Sequence, residues 1–268
     1  MSRDGAPLYT HRAETVSTDR GTGDAVVFAH GTLMDRTMFA PQLDAFAGDY
    51  RTVAFDLRAR TDRYADDYDL DDLVADTERF LDAKDIGSCV LAGMSMGGFM
   101  GLKFALEHPD RLDGLVLIDS MAKPHPPEDR ERHRQTVDAL EGLSTVPAEA
   151  ARPVTHELFG ETTREERTGL VDDWVARWTT YPGDAVTGEV YSWLGRDDLR
   201  ERVSDIDVPV LAVHGEEDAT LDIEDARESY RGIPDLTFEP IPEAGHSSNC
   251  EHPDAVNAAL GDFLDRVY

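Results

Sequence analysis

Apolar positions along the chain follow two rhythms. Short continuous runs stand at 25–30 (AVVFAH), 52–57 (TVAFDL), 89–94 (CVLAGM), 114–119 (GLVLID), 208–215 (VPVLAVHG) and 236–242 (LTFEPIP). Several are unbroken rather than alternating, as strands covered on both faces of a parallel sheet require. Between them the spacing turns helical. In 70–83, Leu70, Leu73, Val74, Thr77, Phe80 and Leu81 share one face, while Asp71, Asp72, Asp76, Glu78 and Asp82 take the other. Residues 97–107 predict a more apolar helix that stops before His108-Pro109. Val256, Ala259, Leu260, Phe263, Leu264 and Val267 predict a C-terminal one. Strand and helix in alternation predict an α/β fold: a mainly parallel central sheet flanked by helices.

The rhythm breaks between Met121 and Asp205. This stretch opens with Lys123-Pro-His-Pro-Pro127, carries helix-like segments without a convincing strand, and holds Trp174, Trp178 and Trp193, all the tryptophans of the chain. It reads as a helical cap, 121–205, inserted into an α/β core made of 1–120 and 206–268. The face formed by Val171, Trp174, Val175 and Trp178 suits packing of cap on core, and equally the lining of a ligand pocket.

Composition narrows the function classes. Of 268 residues 40% are apolar, enough for a core. No run approaches the ~20 apolar residues of a membrane span. The first thirty residues hold no apolar stretch with a small-residue cleavage site, so a cytoplasmic protein is expected, with no membrane partner. Cys89 and Cys250 build no disulfide framework, and no CxxC is present to hold zinc. Aspartate and glutamate number 35 and 20 against 26 basic residues, of which only Lys84, Lys103 and Lys123 are lysines, for a net charge of −29. Such a surface repels phosphate, which argues against nucleic acid. It also repels itself at ordinary ionic strength. At molar salt the Debye length falls to about 3 Å and that repulsion fades. The charge therefore predicts adaptation to a high-salt cytosol; the plainer reading is an acidic protein and nothing more. The stretch 121–205 has 18 acidic and 11 basic residues and the remainder carries −22, so the acidity is spread over both parts rather than gathered at a docking patch.

Candidate chemistry centres on Gly93-Met-Ser95-Met-Gly97. A G-x-S-x-G string alone is weak. Between an apolar strand and a helix it describes a sharp turn that lifts a serine hydroxyl into the open, with glycines where a Cβ would clash. The helix N-terminus behind it offers free N–H groups to a developing oxyanion. Such a serine needs a base, and the base an orienting carboxylate. Of nine histidines, His246 in Pro242-Glu-Ala-Gly-His-Ser-Ser stands directly after the last strand, at the sheet edge where ligand-binding loops converge. His30 and His214 end strands and read as scaffold, and His108 as a helix cap. His125, His133 and His156 fall in the cap; His11 and His252 are expected at the surface. For the acid, Glu216, Glu217 and Asp218 all follow the strand 208–215, and Asp119 is the rival. The chain order Ser…Asp…His suits this scaffold. The N–H groups of Thr32 and Met96 are the candidate oxyanion donors.

These residues resemble the α/β-hydrolase fold superfamily over roughly 240 residues. His30-Gly31, Gly93-Met-Ser-Met-Gly-Gly98 and Gly245-His246 resemble its capped esterase, enol-lactonase and perhydrolase-like branch. The resemblance implies Ser95 as nucleophile, His246 as base, and Asp218 as acid through its G-x-x-D pattern, with Asp119 structural. It implies a pocket between core and cap, with Leu33, Met121, Trp174 and Trp178 as substrate-binding candidates. Six methionines (34, 38, 94, 96, 100 and 121) lie in the segments expected around it. It implies no organic cofactor and no metal; the acidic stretch 62–72 lacks the glycine and spacing of a calcium loop. One departure stands out. Where the family shows R-G-H-G-x-S, this chain has Arg58-Ala-Arg60-Thr-Asp-Arg63, so Arg60 either recognises a carboxylate-bearing substrate or pairs with 62–72. The expected activity is hydrolysis of a small carboxylic ester or lactone through an acyl-enzyme. Carbon–carbon hydrolysis, lyase chemistry and acyl transfer use the same residues, and a non-enzymatic small-molecule receptor is the reading from another class.

Overall fold

The computed structural model describes residues 16–268, so His11 lies outside the described residues. Among these, one sheet runs in the order β1-β3-β2-β4-β5-β6-β7. Its strands are β1 (Ser17–Arg20), β2 (Ala25–Ala29), β3 (Arg51–Phe55), β4 (Cys89–Met94), β5 (Leu112–Ile118), β6 (Val210–Gly215) and β7 (Leu236–Ile241). All neighbours pair in parallel except β1, which lies antiparallel to β3 at one edge. Strands β2, β4 and β6 are buried at every residue, which is why they read as unbroken apolar runs. β1 is the element with no apolar signal: Ser-Thr-Asp-Arg is partly exposed, and only its edge pairing makes it a strand.

The helices are α1 (Ala40–Phe46), α2 (Leu70–Ala83), α3 (Met96–Glu107), α4 (Pro127–Asp138), α5 (Ala148–Leu158), α6 (Glu161–Glu166), α7 (Thr168–Trp178), α8 (Gly183–Leu194), α9 (Ile223–Ser229), α10 (Ser248–Glu251) and α11 (Pro253–Val267). Helix α2 starts on a capping box. The Asp69 carboxylate accepts the N–H groups of Asp71 and Asp72, and the Asp72 carboxylate accepts the N–H of Asp69. On β5, a Cβ at Gly114 would meet Phe263 of α11, whereas the next side chain, Leu115, touches Gly101 of α3. Successive strand residues face opposite ways, so α3 and α11 cover opposite faces of the sheet.

Helices α4 to α8 all lie between β5 and β6, with no strand among the described residues of that stretch. They meet the core at the C-terminal end of β2. Trp193 Nε1 donates to Thr32 Oγ1 at 2.9 Å, the Tyr181 hydroxyl donates to Asp35 at 3.1 Å, and the Leu33 N–H donates to Glu189 at 3.0 Å. No helix among the described residues is long and apolar enough to cross a membrane.

Candidate active site

Ser95 sits between β4 and α3 with φ 49° and ψ −112°, a left-handed conformation that costs a non-glycine residue about 1–3 kcal/mol. Its neighbours leave no slack. A Cβ at Gly93 would stand 2.2 Å from the Gly97 carbonyl oxygen, and one at Gly97 would stand 2.2 Å from that of Ala29. The glycines of the motif thus let the turn close on itself and on β2. Hydrogen bonds hold the strained residue: its N–H donates to Ile118 at 2.8 Å, and its carbonyl accepts the N–H groups of Gly98 and Phe99 at 2.8 and 2.9 Å and the Ser120 hydroxyl at 3.1 Å. The Ser95 hydroxyl then lies 2.9 Å from His246 Nε2.

His246 is carried by the loop after β7, and Glu251 of α10 shapes that loop. One carboxylate oxygen accepts the N–H groups of Gly245 (3.1 Å) and Ser247 (2.9 Å), and the other accepts that of Gly160 (2.8 Å). Gly245 has to be glycine here, because a Cβ would stand 2.1 Å from the Gly160 nitrogen. Sequence reasoning did not assign Glu251 a part in the site; its carboxylate reaches the N–H groups four and six residues back, so no capping-box spacing marks it.

His246 Nδ1 donates to Asp218 at 2.7 Å. The same Asp218 oxygen lies 3.1 Å from His214 Nε2, which also donates to the Leu221 carbonyl at 2.8 Å. The other Asp218 oxygen accepts the N–H groups of Thr220 and Leu221 at 2.8 and 2.9 Å. Burial works against this carboxylate's charge, but His246, His214 and these hydrogen bonds outweigh it and hold the carboxyl well below the usual range. Burial likewise works to lower His246, and the Asp218 carboxylate outweighs it, so the imidazole titrates above its ordinary value.

Asp119, the rival acid, does not reach His246. Its two oxygens accept the N–H groups of Gly215 (2.9 Å) and Ser248 (2.8 Å), joining β6 to the His246 loop, and burial pushes its carboxyl up to about 6. Glu217 turns away to bind Thr162, and Glu216 is exposed. Ligand atoms of Asp119, His214 and Asp218 lie within 4.8 Å of one another, yet each already has a hydrogen-bond partner. The cluster is wired as a support for His246 rather than left open for a cation. His30 is also scaffold: Nδ1 donates to the Gly31 carbonyl and Nε2 accepts the Leu57 N–H, each at 2.9 Å.

A cavity of about 110 Å³ opens beside Ser95 and His246. Leu33 and Trp178 line it, as does Thr32. Met121 and Trp174 do not. Met121 belongs to a separate cleft between α3 and α8, and Trp174 lies under the Arg177 guanidinium on another part of α7. None of the six methionines among the described residues lines this cavity; Met34, Met38, Met94, Met96, Met100 and Met121 are all packed into the core, where unbranched side chains fill gaps. His125, His133 and Trp193, which sequence reasoning left unassigned, do line it. The N–H groups of Thr32 and Met96 have no acceptor among the described residues.

The expectation that Arg60 pairs with 62–72 needs correction. The side chain is buried, does not line the cavity, and has its ion-pair partner elsewhere. It pairs with Glu189 of α8 at 2.8 Å, donates to the Met34 carbonyl at 2.9 Å, and stacks 4.0 Å from the Tyr181 ring centre. Arg58 is the residue that pairs locally, with Asp76 at 2.8 Å and Asp72 at 3.5 Å.

Comparison with known proteins gives a consistent result. A family model described as alpha/beta hydrolase fold matches residues 24–253. The chain is 27% identical over 253 residues to AB hydrolase superfamily protein YisY of Bacillus subtilis, covering 91% of this chain and 93% of that one. It is 25% identical over 250 residues to 3-oxoadipate enol-lactonase 2 of Acinetobacter baylyi, covering 90% and 89%. Among solved structures, a thermophilic esterase from Thermogutta terrifontis superposes with a TM-score of 0.86 at 28% identity, over 94% of this chain and 93% of the other. With its sheet order, its left-handed serine after β4 and a family match spanning most of its length, this chain is an enzyme of the α/β-hydrolase fold family.

Proposed function

We propose that the protein is a serine hydrolase that cleaves small carboxylic esters or lactones through an acyl-enzyme. The observation that carries this reading is the continuous hydrogen-bonded line from the Ser95 hydroxyl through His246 to Asp218, at 2.9 and 2.7 Å. His246 Nε2 takes the serine proton as Oγ attacks the carbonyl carbon. Asp218 holds the imidazole in the tautomer with hydrogen on Nδ1 and stabilises the imidazolium that forms. The N–H groups of Met96, at the start of α3, and Thr32 receive the oxyanion; a donor of this kind is worth about 10²–10³ in rate. His246 then protonates the departing alcohol and activates the water that releases the acid.

Residues 121–205 act as a cap closing the cavity over this line. Leu33 and Trp178 contact the substrate there, and a cavity of about 110 Å³ suits a short chain. The esterase and enol-lactonase among the similar proteins support the same substrate class. The test is p-nitrophenyl acetate hydrolysis with an initial burst, together with a fluorophosphonate adduct mapped by mass spectrometry. Ser95→Ala should abolish both. An adduct on any other residue, or a burst that survives the substitution, refutes the assignment.

A further inference from the structure

We propose that His125 is a hydrogen-bond donor in the cavity beside Ser95. The preferred substrate accordingly carries a neutral acceptor oxygen, an ether or a ketone, in the part that fills this cavity. The inference rests on the serine-hydrolase reading above and adds the substrate's chemistry to it.

Arg196, at the end of α8, sets the tautomer. Its guanidinium lies 2.9 Å from His125 Nδ1. A guanidinium has donors and no acceptor, so Nδ1 receives this hydrogen bond with its lone pair and the ring proton resides on Nε2. Arg196 is itself held: it donates to the Lys123 carbonyl at 2.8 Å and stacks 3.8 Å from the Phe99 ring centre. Burial, reinforced by the Arg196 charge, pushes the His125 imidazole down to about 2. The ring is therefore neutral, with a permanent Nε2 donor.

That donor is buried and has no hydrogen-bond partner among the described residues. Its ring is walled by Trp193, His133 and Phe99, with centres 5.1, 5.3 and 6.4 Å away. Trp193 in turn donates to the Thr32 hydroxyl, so one indole ring separates His125 from Thr32. A buried donor left unpaired costs about 1–3 kcal/mol, and native structures rarely leave one without an occupant to receive it. Among the residues lining this cavity, those with an unpartnered buried polar atom are His125 and Trp178, and in both the atom is an N–H. The buried groups of this wall that are left unpaired are thus both donors. A neutral imidazole donates without supplying a charge, so the matching group is a neutral oxygen.

The test pairs isosteric esters: p-nitrophenyl 3-methoxypropanoate against pentanoate for the acyl side, and 2-methoxyethyl against butyl acetate for the alcohol side. Each kcat/KM is divided by the rate with hydroxide alone. In one of the two pairs the wild type should favour the ether about tenfold, the worth of one neutral hydrogen bond. In His125→Phe the ratio should fall to about one, and His125→Gln, which keeps a donor, should restore part of it. Nitrogen-15 NMR of the wild type, which needs no variant to fold, should find the His125 proton on Nε2. A wild type without preference in either pair, a preference that survives His125→Phe, or a proton on Nδ1 overturns the proposal. Ser95→Ala separates the two readings. If it still hydrolyses both pairs, the serine mechanism fails; if it is inactive while His125→Phe leaves the ratio intact, only the His125 assignment fails.

Discussion

Arg60→Met strands a carboxylate inside the protein. Glu189 is 0% exposed, and one of its oxygens has the Arg60 guanidinium at 2.8 Å and the Leu33 N–H at 3.0 Å. Its other oxygen has no partner among the described residues. Removing one member of a buried pair costs about 3–5 kcal/mol, because the remaining charge has lost its compensation. At about 2–4 °C per kcal/mol for a chain of this size, melting should fall by roughly 6–20 °C at pH 8. The pH dependence gives the sharper test. Burial already raises the Glu189 carboxyl against the pull of Arg60, and the variant removes the pull. A carboxyl raised in the folded state favours folding when protonated, so the deficit is complete above the folded value. It shrinks as pH falls toward the unfolded value of about 4.5. The melting gap between wild type and variant should accordingly narrow from pH 8 to pH 5.5. Adding Glu189→Gln, which keeps an acceptor for Leu33, should recover at least half of the loss. Thermal melts followed by tryptophan fluorescence measure all three proteins. A deficit that ignores pH, or a double variant no more stable than the single one, would refute the stranded-charge argument.

Asp218→Asn should lower kcat by about 10³–10⁴. Because activity needs neutral His246, and the carboxylate raises that imidazole, the residual activity should keep its acid limb to a lower pH than the wild type; a pH–rate profile checks this. Gly97→Ala should cost more than about 2 kcal/mol and abolish activity, since its Cβ meets backbone at 2.2 Å. Gly101→Ala should be milder in urea titrations, as its Cβ meets only the tip of Leu115 at 3.2 Å. Raising KCl from 0.1 to 3 M should raise the melting temperature, given a net charge of −29 and a Debye length that shrinks from about 10 Å to below 3 Å; equal melting at both concentrations would remove the high-salt reading.

Hydrophobic pattern alone carried much of the architecture. The strands β2 to β7 lie within one or two residues of the apolar runs, most plainly β2, β4 and β6, because a strand buried on both faces has no room for polar side chains. Ser95 was legible for a related reason: a strand, two glycines and a helix leave the backbone one compact way to turn. β1 was not legible, since a polar edge strand owes its existence to the partner beside it. Asp119 follows β5 directly and Asp218 stands three residues past the neighbouring β6, and only the register of β5 against β6 and the path of the His246 loop put one on backbone N–H groups and the other on the imidazole.

The cavity wall was the least legible part. Sequence placed methionines and a helical face of tryptophans near it. The folded chain instead uses Trp178 without Trp174, keeps the methionines in the core, and brings His125 and Trp193 to the wall. Arg60 makes the same point, for its partner lies 129 residues away on a helix whose position no local pattern specifies. The sequence by itself determined the sheet, the strained serine and the sign of the surface, because periodicity, glycine sterics and net charge are local or additive. Tertiary structure decided which carboxylate meets His246 and what Arg60 pairs with, because those contacts depend on the path of the loop after β7 and on how α8 settles over the ends of the strands.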